Sequence, residues 1–215
     1  MCRHQMLLGV LLVGFAGLAH ADLYEVTVDT SSITGTAGSL DFNFNPGPLV
    51  TQDASLQILN FASDGSLAGS PALTGDVSGI LPATLTFDNG TALNDYFEGF
   101  TFGSTLSFEV SLYGPAVSSP DGVSTSGSTF AFSMFSDAAG TIPALTSDTT
   151  DGFAFTTVVN LDGTTTVTPF SSQTTVTPAA SSVPEPSSWA LIGIALACMG
   201  TLHLRRYGRK PGGNL

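Results

Sequence analysis

Carboxylates are the only side chains in the central part of this chain that could perform acid–base or metal chemistry. The protein has 215 residues and a formal net charge of -12, and its 17 aspartate and glutamate residues all lie within residues 22–185. Every histidine, cysteine, lysine and arginine lies outside that range. A Ser–His pair, a thiolate nucleophile, a Schiff-base lysine and a zinc site built on imidazole or thiolate are therefore excluded there. Nucleic-acid binding is also excluded, because no basic side chain would offset the phosphates.

Two groups of carboxylates are candidates for chemistry. The stretch "NDYFEGF" supplies Asp95 and Glu98, and Glu109 follows on a predicted strand, so a carboxylate-dependent glycosidase is one hypothesis. The stretch "SDTTDG" supplies Asp148 and Asp151, whose oxygens are the ligand type that calcium prefers. The simpler interpretations are a solvated loop for the first stretch and an ordinary turn for the second. We expect a non-enzymatic protein without a cofactor, and calcium stays open as an alternative.

A carbohydrate-binding body is a third hypothesis. Asn94, Tyr96 and Tyr113 could contact a sugar, although strand ends commonly carry such residues. The single tryptophan, Trp189, lies outside the central part of the chain, so the aromatic platform typical of a sugar cleft is missing. The sequon "NGT" at Asn89 also has the composition of a turn.

Period-2 alternation predicts the elements that must position these groups. Apolar side chains alternate with polar ones in "LYEVTVD", "LDFNF", "TLSFEVSLY", "STFAFSMF" and "GFAFTTVVNL", as expected of half-buried strands. Asp-Gly and Asn-Gly pairs separate them, and Asp162-Gly163 predicts a hairpin. The fold class is therefore all-β: an antiparallel β-sandwich, with jelly-roll and lectin-like topologies among the alternatives.

The N-terminal segment predicts export. Arg3 precedes an apolar run over residues 6–19, and a small-x-small site follows at Ala19 and Ala21. These are the three parts of a secretory signal peptide, so we expect signal peptidase to cleave between Ala21 and Asp22.

The C-terminal segment has three parts in a fixed order. A Pro-Glu-Pro step is followed by an apolar run over residues 189–204 and then by a basic tail. The run is 16 residues long, or about 24 Å as a helix against a hydrocarbon core of about 30 Å, so it predicts one short transmembrane helix. Its expected anchors at the membrane interface are Trp189, Arg205, Arg206 and Arg209. Because cytoplasmic flanks are rich in arginine and lysine, we expect the body outside and the C-terminus in the cytoplasm.

The stretch "VPEPSSWALIGIALACMGTLHLRR" resembles the PEP-CTERM sorting signal. The residues that match its motif are Val183, Pro184, Glu185 and Pro186. The resemblance implies recognition by exosortase, a membrane protease-transpeptidase that removes the tail and passes the body to the cell surface or matrix. It also implies a Gram-negative bacterium that makes extracellular polysaccharide.

The predicted organisation has five parts. They are a signal peptide over 1–21, a β-sandwich body over 22–170, a Ser/Thr/Pro-rich linker over 171–182, the sorting signal over 183–210 and a tail over 211–215. Within it "TTVTP" occurs at 165–169 and again at 174–178. We expect the first copy to be the last strand and the second copy to begin the linker.

The sequence therefore predicts an exported, non-enzymatic protein of the cell surface or the biofilm matrix. Its expected partners are signal peptidase, exosortase, the membrane and extracellular polysaccharide, but not nucleic acid. One alternative is a permanently membrane-anchored protein with a carbohydrate- or calcium-binding body, and another is the glycosidase. An acidic body and an anionic polysaccharide would repel each other unless cations bridge them.

Overall fold

The computed structural model describes residues 21–179, which form two antiparallel β-sheets. Within this range there are two short helical turns, Ser31–Ile33 and α1 at Pro115–Ser118, and thirteen strands. The strands are β1 Asp22–Asp29, β2 Ala37–Pro46, β3 Ser55–Ser63, β4 Ser66–Leu67, β5 Ala72–Thr74, β6 Val77–Ser78, β7 Leu85–Asp88, β8 Asp95–Thr101, β9 Thr105–Tyr113, β10 Ser128–Phe135, β11 Phe153–Val159, β12 Thr165–Pro169 and β13 Thr174–Ala179. The prediction of an all-β, antiparallel body is confirmed.

The strands are divided between the two sheets. The six-stranded sheet has the order β13-β1-β9-β3-β7-β6. The seven-stranded sheet has the order β12-β11-β10-β2-β8-β4, and β5 also pairs with β8. Three of the ladders are nested, because β1 pairs with β9, β2 with β8 and β3 with β7.

Phenylalanine rings from both sheets fill the space between them. Phe108 on β9 belongs to the six-stranded sheet, and its ring centroid lies 5.3 Å from that of Phe42 on β2 and 5.0 Å from that of Phe132 on β10. All three residues are at most 2% exposed. The alternation seen in the sequence places every second side chain in this shared core and leaves the intervening polar residues on the outer faces.

The face of Phe153 differs from the prediction. The "GFAF" pattern places Phe153 and Phe155 on one face, but only Phe155 joins the core. A bulge shifts the register of β10 and β11, so that Phe155 pairs with Phe132 while Phe153 pairs with Ser133. The extra residue of a bulge reverses which face of the sheet the side chains beyond it occupy. Phe153 therefore packs outside the core, with its ring 6.3 Å from Phe170.

The predicted linker over 171–182 was wrong in its first part. The second "TTVTP" copy forms β13, which pairs with β1 from Val28↔Thr174 to Leu23↔Ala179. The first copy forms β12, at the edge of the other sheet. Both prolines are therefore in edge strands, where the missing N–H costs no internal ladder bond. The body extends through Ala179, because β13 covers an edge that β1 would otherwise leave open.

The predicted hairpin at Asp162-Gly163 is confirmed. It joins β11 to β12, which pair from Val159↔Thr165 onward. Gly163 has a φ of 83°, the left-handed conformation that glycine adopts without steric cost. The Asp162 carboxylate accepts hydrogen bonds from the amide and the hydroxyl of Thr164, at 3.0 and 2.6 Å.

Candidate functional site

A polar row runs along the outer face of the seven-stranded sheet. On β2, Asp41, Asn43 and Asn45 alternate with buried phenylalanines, so their side chains leave the sheet on the side away from the core. The Asn43 amide donates to Asp41 Oδ1 at 2.8 Å, and the Asn45 amide donates to Asn43 Oδ1 at 3.4 Å. The row thus ends in a carboxyl that accepts one hydrogen bond from its own strand.

A second carboxyl meets Asp41 from the neighbouring strand. On β8, Asp95 pairs with Asn43 and Phe97 pairs with Asp41, so Asp95 is the diagonal neighbour of Asp41 on the same face. The two carboxyl groups are within hydrogen-bonding reach of each other. Burial raises the pKa of Asp41 to about 8, and the hydrogen bond with Asp95 and the negative charge of Asp95 add to the effect. Asp41 is therefore harder to ionise than an aspartate on an open surface.

A buried hydroxyl lies beside this pair without a partner. Ser133 on β10 is directly opposite Asp41, and its neighbours Phe132 and Met134 both face the core. Ser133 consequently projects from the outer face, as Asp41 does. It is 1% exposed, and its Oγ makes no hydrogen bond among residues 21–179. A buried polar group without a partner costs about 1–3 kcal/mol. The hydroxyls of Thr157 and Thr174 are also buried without a partner in the described residues.

A loop between β10 and β11 covers part of this face. The Ser39 hydroxyl donates to the Asp137 carbonyl at 3.0 Å, which holds the loop against β2. A Cβ on Gly140 would lie 2.7 Å from the Phe97 ring, and its φ of 69° also favours glycine. The Asp137 carboxylate accepts from the amides of Thr141 and Ile142, so it is bound within its own loop.

The carboxylates proposed for glycoside hydrolysis do not form a cleft. The stretch around Asp95 and Glu98 is strand β8 and not a solvated loop. Glu98 is 1% exposed and accepts hydrogen bonds from the Tyr96 hydroxyl at 2.5 Å and the Gly69 amide at 2.8 Å. Glu109 lies on the other sheet, directly opposite Glu25. Glu98 therefore anchors the chain between β4 and β5, away from Glu109.

The residues proposed for sugar binding are mostly enclosed. Asn94 and Tyr96 are both 0% exposed, and Tyr113 is half-buried. The Asn94 amide donates to the carbonyls of Phe44 and Thr91, both at 2.9 Å, so it is already committed. The sequon residue Asn89 is also structural: its amide donates to the Gln52 carbonyl at 2.9 Å, and its Oδ1 accepts from the Ala54 amide at 3.0 Å.

The proposed calcium ligands form a turn. Asp148 Oδ1 accepts from the amides of Thr150 and Asp151 at 3.1 and 3.2 Å, so this carboxylate is bound to its own loop. Over residues 21–179, no three side chains of histidine, cysteine, aspartate or glutamate come together as a metal site. Asp41 and Asp95 are therefore not part of a larger cluster of such side chains in the described residues.

Of the residues predicted to take part in targeting, Ala21 and Asp22 lie in the described part of the chain. Asp22, expected to be the first residue after cleavage, is also the first residue of β1, and its Oδ2 accepts from the Thr165 hydroxyl at 2.5 Å. Ala21 precedes it in an irregular conformation. The remaining predicted positions lie outside the described residues: Ala19, Val183, Pro184, Glu185, Pro186, Trp189, Arg205, Arg206, Arg209 and the helix over 189–204. Between residues 21 and 179 no helix has the length and hydropathy to cross a membrane.

Sequence reasoning missed Asp41 and Ser133. The alternation in "LDFNF" indicates that Asp41 and Asn43 face away from the core, and this was the only available signal. The sequence does not show that β2 lies between β8 and β10. That order is what places Asp95 on one side of Asp41 and Ser133 on the other.

Residues 182–206 match the family model of the PEP-CTERM protein-sorting motif. The chain therefore carries this motif near its C-terminus, as the resemblance predicted. Neither a curated protein nor a solved structure matches the chain.

Proposed function

We propose that this chain is an exported, non-enzymatic protein of the cell surface or extracellular matrix, sorted by an exosortase through its C-terminal motif. The match at residues 182–206 is the observation that carries the proposal, because the motif is a sorting signal. The predicted signal peptide supports it from the other end of the chain. The tail then serves first as a transient anchor, with the body outside and the basic end in the cytoplasm, and is later removed.

The distribution of charge supports the same direction of transport. Residues 22–185 carry all 17 acidic residues and no basic one, while all five lysines and arginines lie in the two terminal segments. Positive charge tends to remain on the cytoplasmic side of a membrane. An acidic body between two basic ends is therefore consistent with an exported body.

The arrangement of carboxylates supports a role without catalysis. Glycosidases hold their two carboxyl groups about 5–9.5 Å apart so that a sugar and, in some, a water fit between them. Asp41 and Asp95 are diagonal neighbours on the outer face of one sheet, so they do not face each other across a cleft. Glu98 and Glu109 are on different sheets, and Glu98 is enclosed.

The nested pairing of the strands supports a jelly-roll topology for the body. A jelly roll arises when a long hairpin is rolled up, so that its first strand pairs with its last and the second with the one before. The ladders β1 with β9, β2 with β8 and β3 with β7 have this order. Lectin domains share the architecture, and by analogy alone a ligand-binding body in the matrix is a reasonable assignment.

The test is the intact mass of the protein recovered from producing cells. We expect a species that begins at Asp22 and lacks the segment after the Pro-Glu-Pro step. Replacing Pro184, Glu185 and Pro186 together by alanine should preserve the tail, whereas replacing Ser187 and Ser188 by alanine should not. A full-length mass would refute the processing model. A species that lacks only the signal peptide would favour the permanently anchored alternative.

A further inference from the structure

One end of the sandwich exposes a group of large apolar side chains. Leu49 and Val50 lie in the connection between β2 and β3, Val123 lies in the connection between β9 and β10, and Leu161 lies in the hairpin between β11 and β12. These four side chains are 50–73% exposed, and we name them the apolar tip. Single exposed apolar residues are common on protein surfaces, but a group of them marks a contact with another protein or with a membrane.

The three connections that carry the apolar tip leave the sandwich side by side. Ser128, the first residue of β10, pairs with Pro46 at the end of β2 and with Val159 at the end of β11. The Val50 carbonyl accepts a hydrogen bond from the Thr125 amide at 2.9 Å, which joins the first connection to the second. The four side chains therefore project from one end of the body.

The other exposed large apolar side chains of the described residues are more scattered. Leu93 lies in the connection between β7 and β8, at the same end as the apolar tip. Leu73 lies in β5, and Ile80 follows β6. Ile142 lies at the opposite end of the sandwich, in the connection between β10 and β11. Exposed apolar surface is thus concentrated at one end.

The chain enters and leaves the body at the end that carries the apolar tip. Asp22 begins β1, and Ala179 ends β13, its antiparallel partner. The Asp22 carboxylate accepts a hydrogen bond from the hydroxyl of Thr165, which follows the hairpin of Leu161, at 2.5 Å. The apolar run begins at Trp189, and the residues between it and Ala179 would span at most about 35 Å when fully extended.

We propose that the apolar tip rests on the lipid surface of the membrane that anchors the C-terminal segment, with its four side chains in the interfacial region. This inference rests on the proposed function, because the anchor is what brings the body to a membrane. An anchored body sees a high effective concentration of lipid surface, so a contact too weak to hold a free body is sufficient to orient it. Removal of the tail would then also release the body.

The acidic residues at this end determine which lipids fit. Asp53, Asp121 and Asp162 are exposed in the same three connections, and residues 22–185 contain no basic residue. Anionic headgroups would repel these carboxylates, whereas zwitterionic headgroups would not. We therefore expect contact with phosphatidylcholine vesicles that weakens as phosphatidylglycerol is added. High salt should restore it, because salt screens the repulsion between exposed charges.

The experiment places a fluorescent label on the tip of the full chain in phosphatidylcholine vesicles. The native cysteines are removed by Cys2→Ser and Cys198→Ser, and a bimane label is attached at Val123→Cys. A lipid with a nitroxide on its acyl chain should quench this label at least about twofold, because the tip enters the interface. The matched control is the same label at Ile142→Cys, an exposed position at the opposite end, which should not be quenched.

Substitution of the other tip residues tests the contact itself. Leu49→Ser, Val50→Ser and Leu161→Ser together should reduce the quenching of the tip label to that of the control label. Leu73→Ser with Ile80→Ser removes exposed apolar side chains elsewhere and should leave the quenching unchanged. Urea unfolding should show that both variants remain folded, because the replaced side chains are exposed.

The outcomes separate this inference from the proposed function. Equal quenching of the two labels, or quenching that survives the triple substitution, would overturn the lipid contact. Shielding of the tip label that increases with the number of copies per vesicle, without quenching, would overturn it in favour of contact between copies. A chain that floats with the vesicles in a density gradient but is not quenched would leave the anchor standing. A chain that does not float with them would contradict both the anchor and the contact.

Discussion

The Asp41 carboxyl should make the stability of the chain fall as pH rises. Burial raises the pKa of Asp41 to about 8, with further contributions from Asp95. Below about pH 4 the group is protonated in both the folded and the unfolded chain. Between about pH 4 and pH 8 the folded chain keeps a proton that the unfolded chain releases, so each increase in pH lowers the free energy of unfolding. The contribution is present at low pH and lost by about pH 8.

The size of the effect follows from the change in pKa. One pKa unit corresponds to about 1.4 kcal/mol, so a carboxyl moved from about 4 to about 8 would change the free energy of unfolding by about 6 kcal/mol. Asp41 is partly exposed, and water screens its charge. We therefore expect about 2–4 kcal/mol over the whole window.

Asp41→Asn removes the titrating group and keeps its contacts. Its oxygen can accept from the Asn43 amide, as Asp41 Oδ1 does at 2.8 Å, and its amide can donate to Asp95. Urea unfolding at about pH 5.5 and about pH 9, with EDTA present, would measure the free energy of unfolding. Between the two pH values, the variant should gain about 2 kcal/mol relative to the wild type. Residues 22–185 contain no histidine, cysteine or lysine, so few other groups titrate in this interval.

Asp64→Asn is the control for this measurement. Hydrogen bonds from the Ser104 hydroxyl and from the amides of Thr105 and Ser104 lower the pKa of Asp64 to about 2. Its contribution is therefore present above about pH 4 and is lost only as pH falls towards 2. The control should change stability equally at both pH values. Parallel pH dependence in the wild type and Asp41→Asn would refute the reasoning.

Three further predictions test the fold. Phe108→Ala should lower the free energy of unfolding by about 3–5 kcal/mol in urea, because it removes a ring shared by both sheets, whereas Phe170→Ala at a half-exposed position should cost much less. Asn89→Ala should lower the free energy of unfolding by about 2–3 kcal/mol, because it leaves buried backbone partners unsatisfied. Since Asn89 is enclosed, the wild-type protein should carry no glycan there in an intact-mass measurement. A chain that ends after Ala179 should unfold cooperatively. A chain that ends after Ser171 loses β13 and should aggregate at the exposed β1 edge. Equal solubility of the two chains would contradict the assignment of β13 to the body.

Local patterns were sufficient to predict the strands but not their neighbours. Alternation identified the core face of β9, where Leu106, Phe108, Val110 and Leu112 are all buried, because side-chain direction repeats every two residues. The same rule failed at Phe153, where a bulge adds one residue. It also failed to identify β13, because "TTVTP" has the composition of a linker and becomes a strand only beside β1.

The candidate site depended on contacts between distant parts of the chain. Asp41 and Asp95 are far apart in sequence, and the register of β2 with β8 makes them diagonal neighbours. The sequence made Glu98 look as accessible as Asp95. The two residues are three apart on one strand, however, so their side chains leave opposite faces of the sheet, and Glu98 is enclosed. The carboxylates could therefore be named as candidates, but not sorted into paired, enclosed and exposed groups.

The sequence by itself determined the sorting motif of this protein and the kinds of catalytic chemistry that residues 22–185 cannot perform. The sorting motif lies in one continuous stretch, and the absence of basic residues, histidine and cysteine from residues 22–185 holds in any fold. The tertiary structure alone decided which carboxylates meet and that Ser133 lies buried beside them. The physical reason is that a strand's sequence sets which face each side chain takes, whereas hydrogen-bonded register with other strands sets which side chains become neighbours.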